Sequence, residues 1–249
     1  MVNNSEILSA IDKAAPFSIA ADWDNVGLLL DMKNKSDKIL FSLDLTYEAI
    51  SEAKELGCGA VVCHHPAIFG TGLRKIDGND PVIAAAANGI SVFAAHTNWD
   101  GAQAGVNDVL CKLLGLSDVS PLGIYARMGT CPEMSAVDLA MLVKNALGIP
   151  AVHLCNSGKS VSHVAVVGGS GGDFVSAAAA AGCTALVTGE CKHSDGLLAR
   201  RLGVSVIAAG HYETENPSVP ALAAAVAAEL SGKAECIVAR RSFPVFMTV

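Results

Sequence analysis

The amino-acid sequence predicts an α/β fold with two similar β-α-β lobes related by pseudo-twofold symmetry. Three observations lead to this prediction. From Lys38 onward, short apolar runs alternate with amphipathic segments, which is typical of strands alternating with helices. The order of these elements in the first half recurs in the second half. In both halves, histidines and carboxylates stand where predicted strands end, and ligands gather at that edge of an open α/β sheet.

The first half is predicted to open with a helix and to continue as β-α-β-α-β. Residues 5–15 carry apolar positions at helical spacing, with Ser5 as the N-cap and Pro16 at the end. The polar side chains of Asp22 to Asn25 are expected to cap a turn, with a catalytic role as the alternative. The next predicted elements are strand 39–45, helix 47–56 after Thr46, strand 60–63, loop 69–79, helix 81–87, strand 90–95 and helix 105–114.

The second half repeats the first. The run 164–169 stands where strand 39–45 stood, and a predicted helix over 174–181 follows it. Segment 182–187 echoes 57–62 at an offset of 125 residues, and segment 201–209 echoes 87–95 at an offset of 114 residues. Further elements are predicted at 135–147 (helix), 151–154 (strand), 219–230 (helix) and 235–240 (strand). Two copies of one unit imply a shared crevice between their strand ends.

The repeat sets the expected domain boundaries. Segment 118–134 is rich in glycine, proline and serine and has weak periodicity, so it is the expected linker. The N-terminal lobe is therefore predicted to span 1–125 and the C-terminal lobe 126–249, together forming one compact unit.

The composition argues against several classes of protein. Apolar residues make up 51% of the 249 residues, yet no apolar run reaches the roughly 18 residues that span a membrane. A large core and self-association are expected instead. The net charge of −7 argues against a general nucleic-acid surface or an anionic-membrane surface, and the first residues lack a secretory pattern, so a cytoplasmic location is expected. The eight cysteines are expected to be reduced core thiols, and for Cys63 and Cys191, which stand beside candidate site residues, metal ligation is the alternative.

Four histidines and two carboxylates form a candidate metal site in the predicted crevice. Imidazole nitrogens together with carboxylate oxygens suit Zn²⁺, Fe²⁺ or Mn²⁺. Neighbouring residues of an extended strand point to opposite sides, so the two adjacent histidines are expected to bind different ions of a two-metal site. The residues are His64 and His65 after one strand, His96 and Asp100 after the next, and His211 and Glu215 in the second half, the last two pairs both spaced i, i+4.

Two further segments of the second half are candidates for contact with a substrate. The turn Gly168–Gly172 lacks the spacing of the G-x-G-x-x-G and P-loop motifs, so a tight turn and an anion-binding nest both remain open. Glu190 follows the strand equivalent to that of His64 and is either a general base beside the site or a partner in a salt bridge.

Three motifs, Cys63 to Pro66, His96 to Asp100 and Gly210 to Glu215, resemble those of the NGG-interacting factor three-like family of dinuclear-metal proteins, known as GTP cyclohydrolase I type 2 homologues. The resemblance covers nearly the whole chain. It implies that His96 lies near the metals and that Glu215 bridges them. Trp99 stands where the family has leucine, which is expected to narrow the pocket without disturbing the metals. The implied ligands are His64, His65, Asp100, His211 and Glu215.

The resemblance also implies an assembly and an activity. It implies a toroidal homohexamer with metal sites facing the interior, in the short form without the domain that longer members insert between the lobes. It implies two divalent ions per chain, Fe or Zn with Mn as a further option, and hydrolytic opening of the guanine ring of GTP. His96 or Glu190 would then move the proton, and the Gly168–Gly172 turn would hold phosphates. Two alternatives remain open: a metal-dependent nucleotide phosphoesterase, and a non-enzymatic metal-binding regulatory scaffold.

Overall fold

The computed structural model of the chain describes residues 1–69 and 78–248, so positions 70–77 of the predicted loop 69–79 lie outside the described residues. The helices are α1 Asn4–Ala14, α2 Tyr47–Leu56, α3 Pro81–Ala87, α4 Thr97–Gly101, α5 Val106–Leu113, α6 Ala136–Leu147, α7 Val175–Ala180, α8 His193–Leu202, α9 His211–Glu215 and α10 Val219–Leu230. The strands are β1 Val2–Asn3, β2 Gly27–Leu30, β3 Lys35–Ser36, β4 Lys38–Ser42, β5 Ala60–Cys63, β6 Ser91–Ala94, β7 Ser117–Pro121, β8 Arg127–Met134, β9 His153–Cys155, β10 Val161–Ser170, β11 Ala185–Glu190, β12 Ser205–Ala208 and β13 Glu235–Val238.

The mixed α/β class predicted from the sequence is confirmed, and the chain divides into two compact units. The first unit comprises Met1–Gly105 and Ser218–Phe243, and the second consists mainly of Val106–Pro217. This division differs from the expected boundary at residue 125, because the second unit already begins at Val106 and the segment Ser218–Phe243 belongs to the first unit. There, β13 pairs parallel with β4, and α10 packs against α1.

The first unit is organised around a five-stranded sheet with the order β13-β4-β5-β6-β2. Its three central strands are parallel, and β2 runs antiparallel at the edge. Both β5 and β6 are buried along their whole length, which explains their continuous apolar sequence. Helix α2 connects β4 to β5. It begins after Thr46, whose hydroxyl accepts a hydrogen bond from Ala49 N at 3.1 Å, and ends at Gly57 in the left-handed conformation.

The second unit is organised around a six-stranded sheet with the order β7-β8-β10-β11-β12-β9. Strands β10, β11 and β12 are parallel, and their neighbours at both sides are antiparallel. The internal repeat is visible in the strand register of each sheet. The paired residues are Ile39 with Ala60 and Ala60 with Ser91 in the first unit, and Val164 with Ala185 and Ala185 with Ser205 in the second.

The prediction of a linker over 118–134 is wrong. Strands β7 and β8 form an antiparallel pair there, and β8 also pairs with β10. β7 is a polar and mostly exposed edge strand, so it shows no alternation of apolar residues, and main-chain hydrogen bonds define it instead. A smaller correction concerns α1, whose N-cap is Asn3 rather than Ser5. The Asn3 side chain accepts from Glu6 N, and the Glu6 carboxylate accepts from Asn3 N.

None of the helices in the described part of the chain combines the length and the hydropathy of a membrane span.

Candidate metal centre

His64 lies directly after β5, and its side chain is only 1% exposed. Its Nδ1 lies 2.8 Å from the carbonyl oxygen of Ala95. A carbonyl oxygen can only accept, so Nδ1 carries the proton and Nε2 presents a lone pair. That Nε2 lies 3.6 Å from Asp100 Oδ1. An imidazole fixed through Nδ1 in this way is oriented to ligate a metal ion through Nε2.

His65 and His96 are held in the same way, in each case by a carboxylate. His65 Nδ1 lies 2.7 Å from Asp44 Oδ1, and His96 Nδ1 lies 2.9 Å from Asp24 Oδ1. In both rings Nε2 is therefore the nitrogen that would ligate a metal ion. Carboxylate–histidine pairs of this kind orient the ring and raise its basicity toward a metal ion.

The three imidazoles of the first unit form one cluster. The ring centroid of His64 lies 5.0 Å from that of His65 and 5.2 Å from that of His96. One ligand atom from each ring lies within 4.8 Å of the others. Their donor type and spacing fit a divalent transition metal such as Zn²⁺ or Fe²⁺. His96, which the resemblance placed merely near the metals, is a full member of this cluster.

The expectation that His64 and His65 point to opposite sides is wrong. The extended strand ends at Cys63, and the amides of His64 and His65 both donate to the carbonyl oxygen of Leu43, at 3.1 and 3.0 Å. In a regular strand, successive amides point in opposite directions. The bend therefore brings both rings into one cluster. The alternation of side chains along a strand therefore gives no reason to assign His64 and His65 to different ions, and that assignment stays a prediction.

Asp24 is a site residue that the sequence interpretation assigned to turn capping. Its carboxylate does accept from Asn25 N, but it also accepts from His96 Nδ1 and from the amide and hydroxyl of Thr97. Burial works to raise the pKa of Asp24, but the hydrogen bonds from His96 and Thr97 outweigh it and hold the pKa well below its usual range. Asp24 therefore stays a carboxylate beside His96.

The second unit carries a group formed by His211, Glu215 and Glu190. Helix α9 begins at His211 and places Glu215 one turn later, so His211 Nε2 lies 3.2 Å from Glu215 Oε2. Glu190 is the last residue of β11, and its Oε1 lies 3.4 Å from His211 Nδ1. Glu215 is buried, whereas Glu190 is half exposed. Glu190 thus contacts His211 and is also open to solvent, which is compatible with both alternatives, a general base and a salt-bridge partner.

The Gly168–Gly172 turn makes room for these ligands. Gly169 has φ of +61°, and a Cβ there would collide with Glu215 Oε1 and lie 3.0 Å from His211 Nε2. The amides of Gly168, Gly169 and Gly171 donate to side chains of the same unit, namely Asn107 Oδ1, Thr214 Oγ1 and Thr188 Oγ1. These three amides are therefore used within the protein, which favours the tight turn over the anion nest.

A cavity of about 620 Å³ lies in the second unit beside Glu190. Its wall includes the cationic residues Lys192 and Arg200 and the apolar residues Leu154 and Leu197. A cavity of this size is large enough for a small-molecule ligand.

Three residues singled out in the sequence have defined environments. Cys63 is fully buried and contacts Ser42 Oγ at 3.5 Å, which confirms a core thiol. Cys191 is partly exposed at the cavity wall, and burial together with nearby Asp195 raises its pKa. Trp99 is buried and donates from Nε1 to Ser218 Oγ at 3.1 Å, so its size affects packing rather than a pocket opening.

Comparisons with known proteins agree with the fold and with the motifs. The family model described as Duf34/NIF3 (NGG1p interacting factor 3) matches residues 2–243. A Clostridium perfringens protein named GTP cyclohydrolase 1 type 2 homolog is 30% identical over 252 residues, covering 96% of each chain. A Halobacterium salinarum protein of the same name is 35% identical over 233 residues, covering 88% of this chain and 92% of its own. A crystal structure of a Bacillus cereus protein related to NIF3 superposes with a TM-score of 0.92 at 20% identity, covering 99% of both chains.

Proposed function

This chain belongs to the Duf34/NIF3 family, and from that premise we propose that it is a hydrolase that depends on two divalent metal ions. The proposed ligands are His64, His65, Asp100, His211 and Glu215. The observation that carries the proposal is the imidazole cluster of the first unit, in which each ring is held at Nδ1 by an oxygen and the ligand atoms of the three rings lie within 4.8 Å of one another. A histidine cluster formed merely by packing has no need of this common orientation.

The residues of each unit fit a metal. Imidazole nitrogens and carboxylate oxygens are the donors that Zn²⁺ and Fe²⁺ take in catalytic sites. Gly169 leaves space for Glu215 and His211 that any larger residue would fill. When bound, the ions would supply Lewis acidity toward a substrate oxygen and toward water.

The chain's own residues supply the proton transfers in this proposal. His96 is the candidate general base, because the Asp24 carboxylate fixes its ring and stabilises the positive charge that the ring gains with a proton. Glu190 is the second candidate, since its carboxylate reaches both His211 and the cavity wall. Both side chains are partly exposed, so each can exchange protons with solvent.

The proposed reaction is opening of the guanine ring of GTP by water. It rests on the name of the relatives, GTP cyclohydrolase 1 type 2 homolog, and on a cavity of about 620 Å³ whose wall carries Lys192 and Arg200. We further propose self-assembly into a homohexamer. An apolar and highly exposed stretch at Val245, Phe246 and Met247 supports self-association.

The test is to load the purified protein with Zn²⁺, Fe²⁺ or Mn²⁺ and to incubate it with GTP and a panel of nucleotides. Formate and phosphate release are measured separately. Formate release that is lost in His64→Ala and kept in His163→Ala supports the proposal, because His163 is exposed and contacts Ser162 instead. Phosphate release without formate supports a phosphoesterase instead. No release with any metal, in a chain that binds metal, supports the scaffold.

A further inference from the structure

Two large aromatic side chains of the first unit stand exposed beside His96. Trp23 is 53% exposed and Phe69 is 63% exposed. Their ring centroids lie 5.9 Å apart, and they lie 6.1 and 6.2 Å from the ring of His96. Aromatic side chains that stabilise a core are buried. An exposed aromatic pair in contact with a site residue therefore requires another explanation.

Hydrogen bonds hold both segments that carry these rings. On one side of Trp23, Asp24 is tied to His96 and Thr97. Asn25 donates from Nδ2 to the carbonyl oxygen of Ile68 at 2.6 Å, which fixes the backbone directly before Phe69. The rings are therefore presented by anchored backbone, which lowers the entropy cost of binding a ligand.

The position of the pair relates it to the imidazole cluster. The His96 ring that contacts both aromatic residues also lies 5.2 Å from the ring of His64 and 5.6 Å from that of His65. The planes of the two aromatic rings are tilted by 53°, so a flat ligand stacked on one ring would meet the other at an angle and have its edge near His96, next to the cluster. Imidazole can donate or accept a hydrogen bond at such an edge.

We propose that Trp23 and Phe69 form a stacking platform that binds a planar nitrogen heterocycle and presents its edge to His96. The inference rests on the proposed function, because it names the residues that would recognise the substrate's ring. Stacking on aromatic side chains uses the π-face that every heterocyclic base offers. The platform therefore recognises the ring of the ligand, and the sugar and phosphate of a nucleotide would contact other residues.

Tryptophan fluorescence tests the proposal without any turnover. The chain has two tryptophans, and Trp99 is 1% exposed, so a Trp99→Phe variant leaves Trp23 as the sole reporter. Titration with guanosine monophosphate and adenosine monophosphate is expected to quench Trp23 saturably. Ribose 5-phosphate, which lacks the ring, is expected to leave the emission unchanged.

Calorimetry on variants of the otherwise unchanged chain provides the second measurement. Trp23→Ala and Phe69→Ala are each expected to weaken binding of the purine nucleotides at least about fivefold, the lower end of base–aromatic stacking. Trp23→Phe is expected to recover part of that loss. Phe243→Ala is the matched control, because Phe243 is 66% exposed and makes no ring contact with a described residue.

Metal content separates this inference from the proposed function. Trp23→Ala is expected to keep the wild-type metal content. A chain that binds purine nucleotides but holds no Zn²⁺, Fe²⁺ or Mn²⁺ after loading would refute the metal proposal and leave the platform standing. Unchanged purine affinity in both alanine variants would overturn the platform. Quenching of Trp23 by ribose 5-phosphate would also overturn the platform. Shielding of Trp23 from acrylamide in the free protein would overturn it as well, since a second copy of the chain would then cover Trp23.

Discussion

His96 Nδ1 lies 2.9 Å from Asp24 Oδ1, although 72 positions separate the two residues in the sequence. The pair joins the turn before β2 to the segment after β6, which are neighbouring strands at one side of the five-stranded sheet. The Asp24 side chain is inaccessible to solvent, and it also accepts from Thr97 Oγ1 at 2.6 Å. Asp24 is thus a positioning residue for a ring of the imidazole cluster.

Replacing Asp24 by alanine is expected to lower the free energy of unfolding by about 2–3 kcal/mol, because the donors of His96 and Thr97 lose their acceptor. Urea denaturation measures the change. Asp22→Ala is the control, since Asp22 is exposed and its removal is expected to cost under about 0.5 kcal/mol. Equal losses in the two variants would contradict the positioning role.

The contribution of Asp24 is also expected to depend on pH. Its pKa is depressed in the folded protein relative to an ordinary value of 3.8, so the stabilisation is fully present above that pH and is lost as the pH falls below it. The difference in unfolding free energy between the wild type and Asp24→Ala should therefore shrink in acid. A difference that grew below pH 3.8 would reverse the expected sign.

Asp44 is expected to support metal binding through His65 alone. Asp44→Ala removes the acceptor at 2.7 Å from His65 Nδ1 and should weaken metal affinity about 10–100-fold, the usual effect of losing such a partner. Competition with a chromogenic chelator measures the affinity. Asp37→Ala, a change at an exposed carboxylate, should leave it unchanged. Undiminished affinity in Asp44→Ala would contradict ligation by His65.

Gly169→Ala tests the space that the turn leaves for Glu215. Both Gly169 and Gly182 have positive φ, of +61° and +80°, but a Cβ at Gly182 meets nothing within 4 Å. Gly182→Ala should therefore cost the backbone strain alone, about 1–2 kcal/mol. Gly169→Ala should cost about 1–3 kcal/mol more through overpacking and should also lower metal content. Thermal unfolding and metal analysis of both variants provide the test. Equal stability and equal metal content in the two variants would contradict the claim that Gly169 leaves space for Glu215.

Trp99→Leu introduces the residue that the family resemblance implies for this position. It should lower the unfolding free energy by about 2–4 kcal/mol, because a buried indole leaves a cavity and Ser218 loses its donor. Trp99→Phe, which mainly removes the hydrogen bond, should cost less, about 1–2 kcal/mol. Metal content should stay at the wild-type value in both variants. A loss of metal in Trp99→Phe would show that this position affects the site directly.

The sequence predicted those parts of the fold that leave a periodic or capped pattern. The bounds of α2, α3, α10 and β5 agree with the prediction to the residue. Thr46 and Gly57 mark the ends of α2, and Pro81 marks the start of α3, so local chemistry alone locates them. Strand β7 was not predicted because it is polar and mostly exposed, so only its main-chain pairing with β8 defines it and no apolar pattern marks it in the sequence.

The candidate site follows the same division. His64, His65, His96 and His211 were identified because they stand where strands end. Asp24 and Asp44 were missed as partners of histidines, because a hydrogen bond between distant segments has no local pattern. The position of Asp44 could have been inferred from the two neighbouring parallel strands. Because Ser42 pairs with Cys63, Asp44 and His65, each two residues further on, follow neighbouring strand ends. The bend after Cys63, which depends on the Leu43 carbonyl, could not be read from periodicity.

Metal analysis by inductively coupled plasma mass spectrometry tests the central claim most directly. The protein is purified without chelators and compared with its His64→Ala, Glu215→Ala and His163→Ala variants. The account predicts about two divalent ions per chain in the wild type and in His163→Ala, with a clear loss in His64→Ala and in Glu215→Ala. Content well below two ions per chain in the wild type, unchanged by Glu215→Ala, would contradict it.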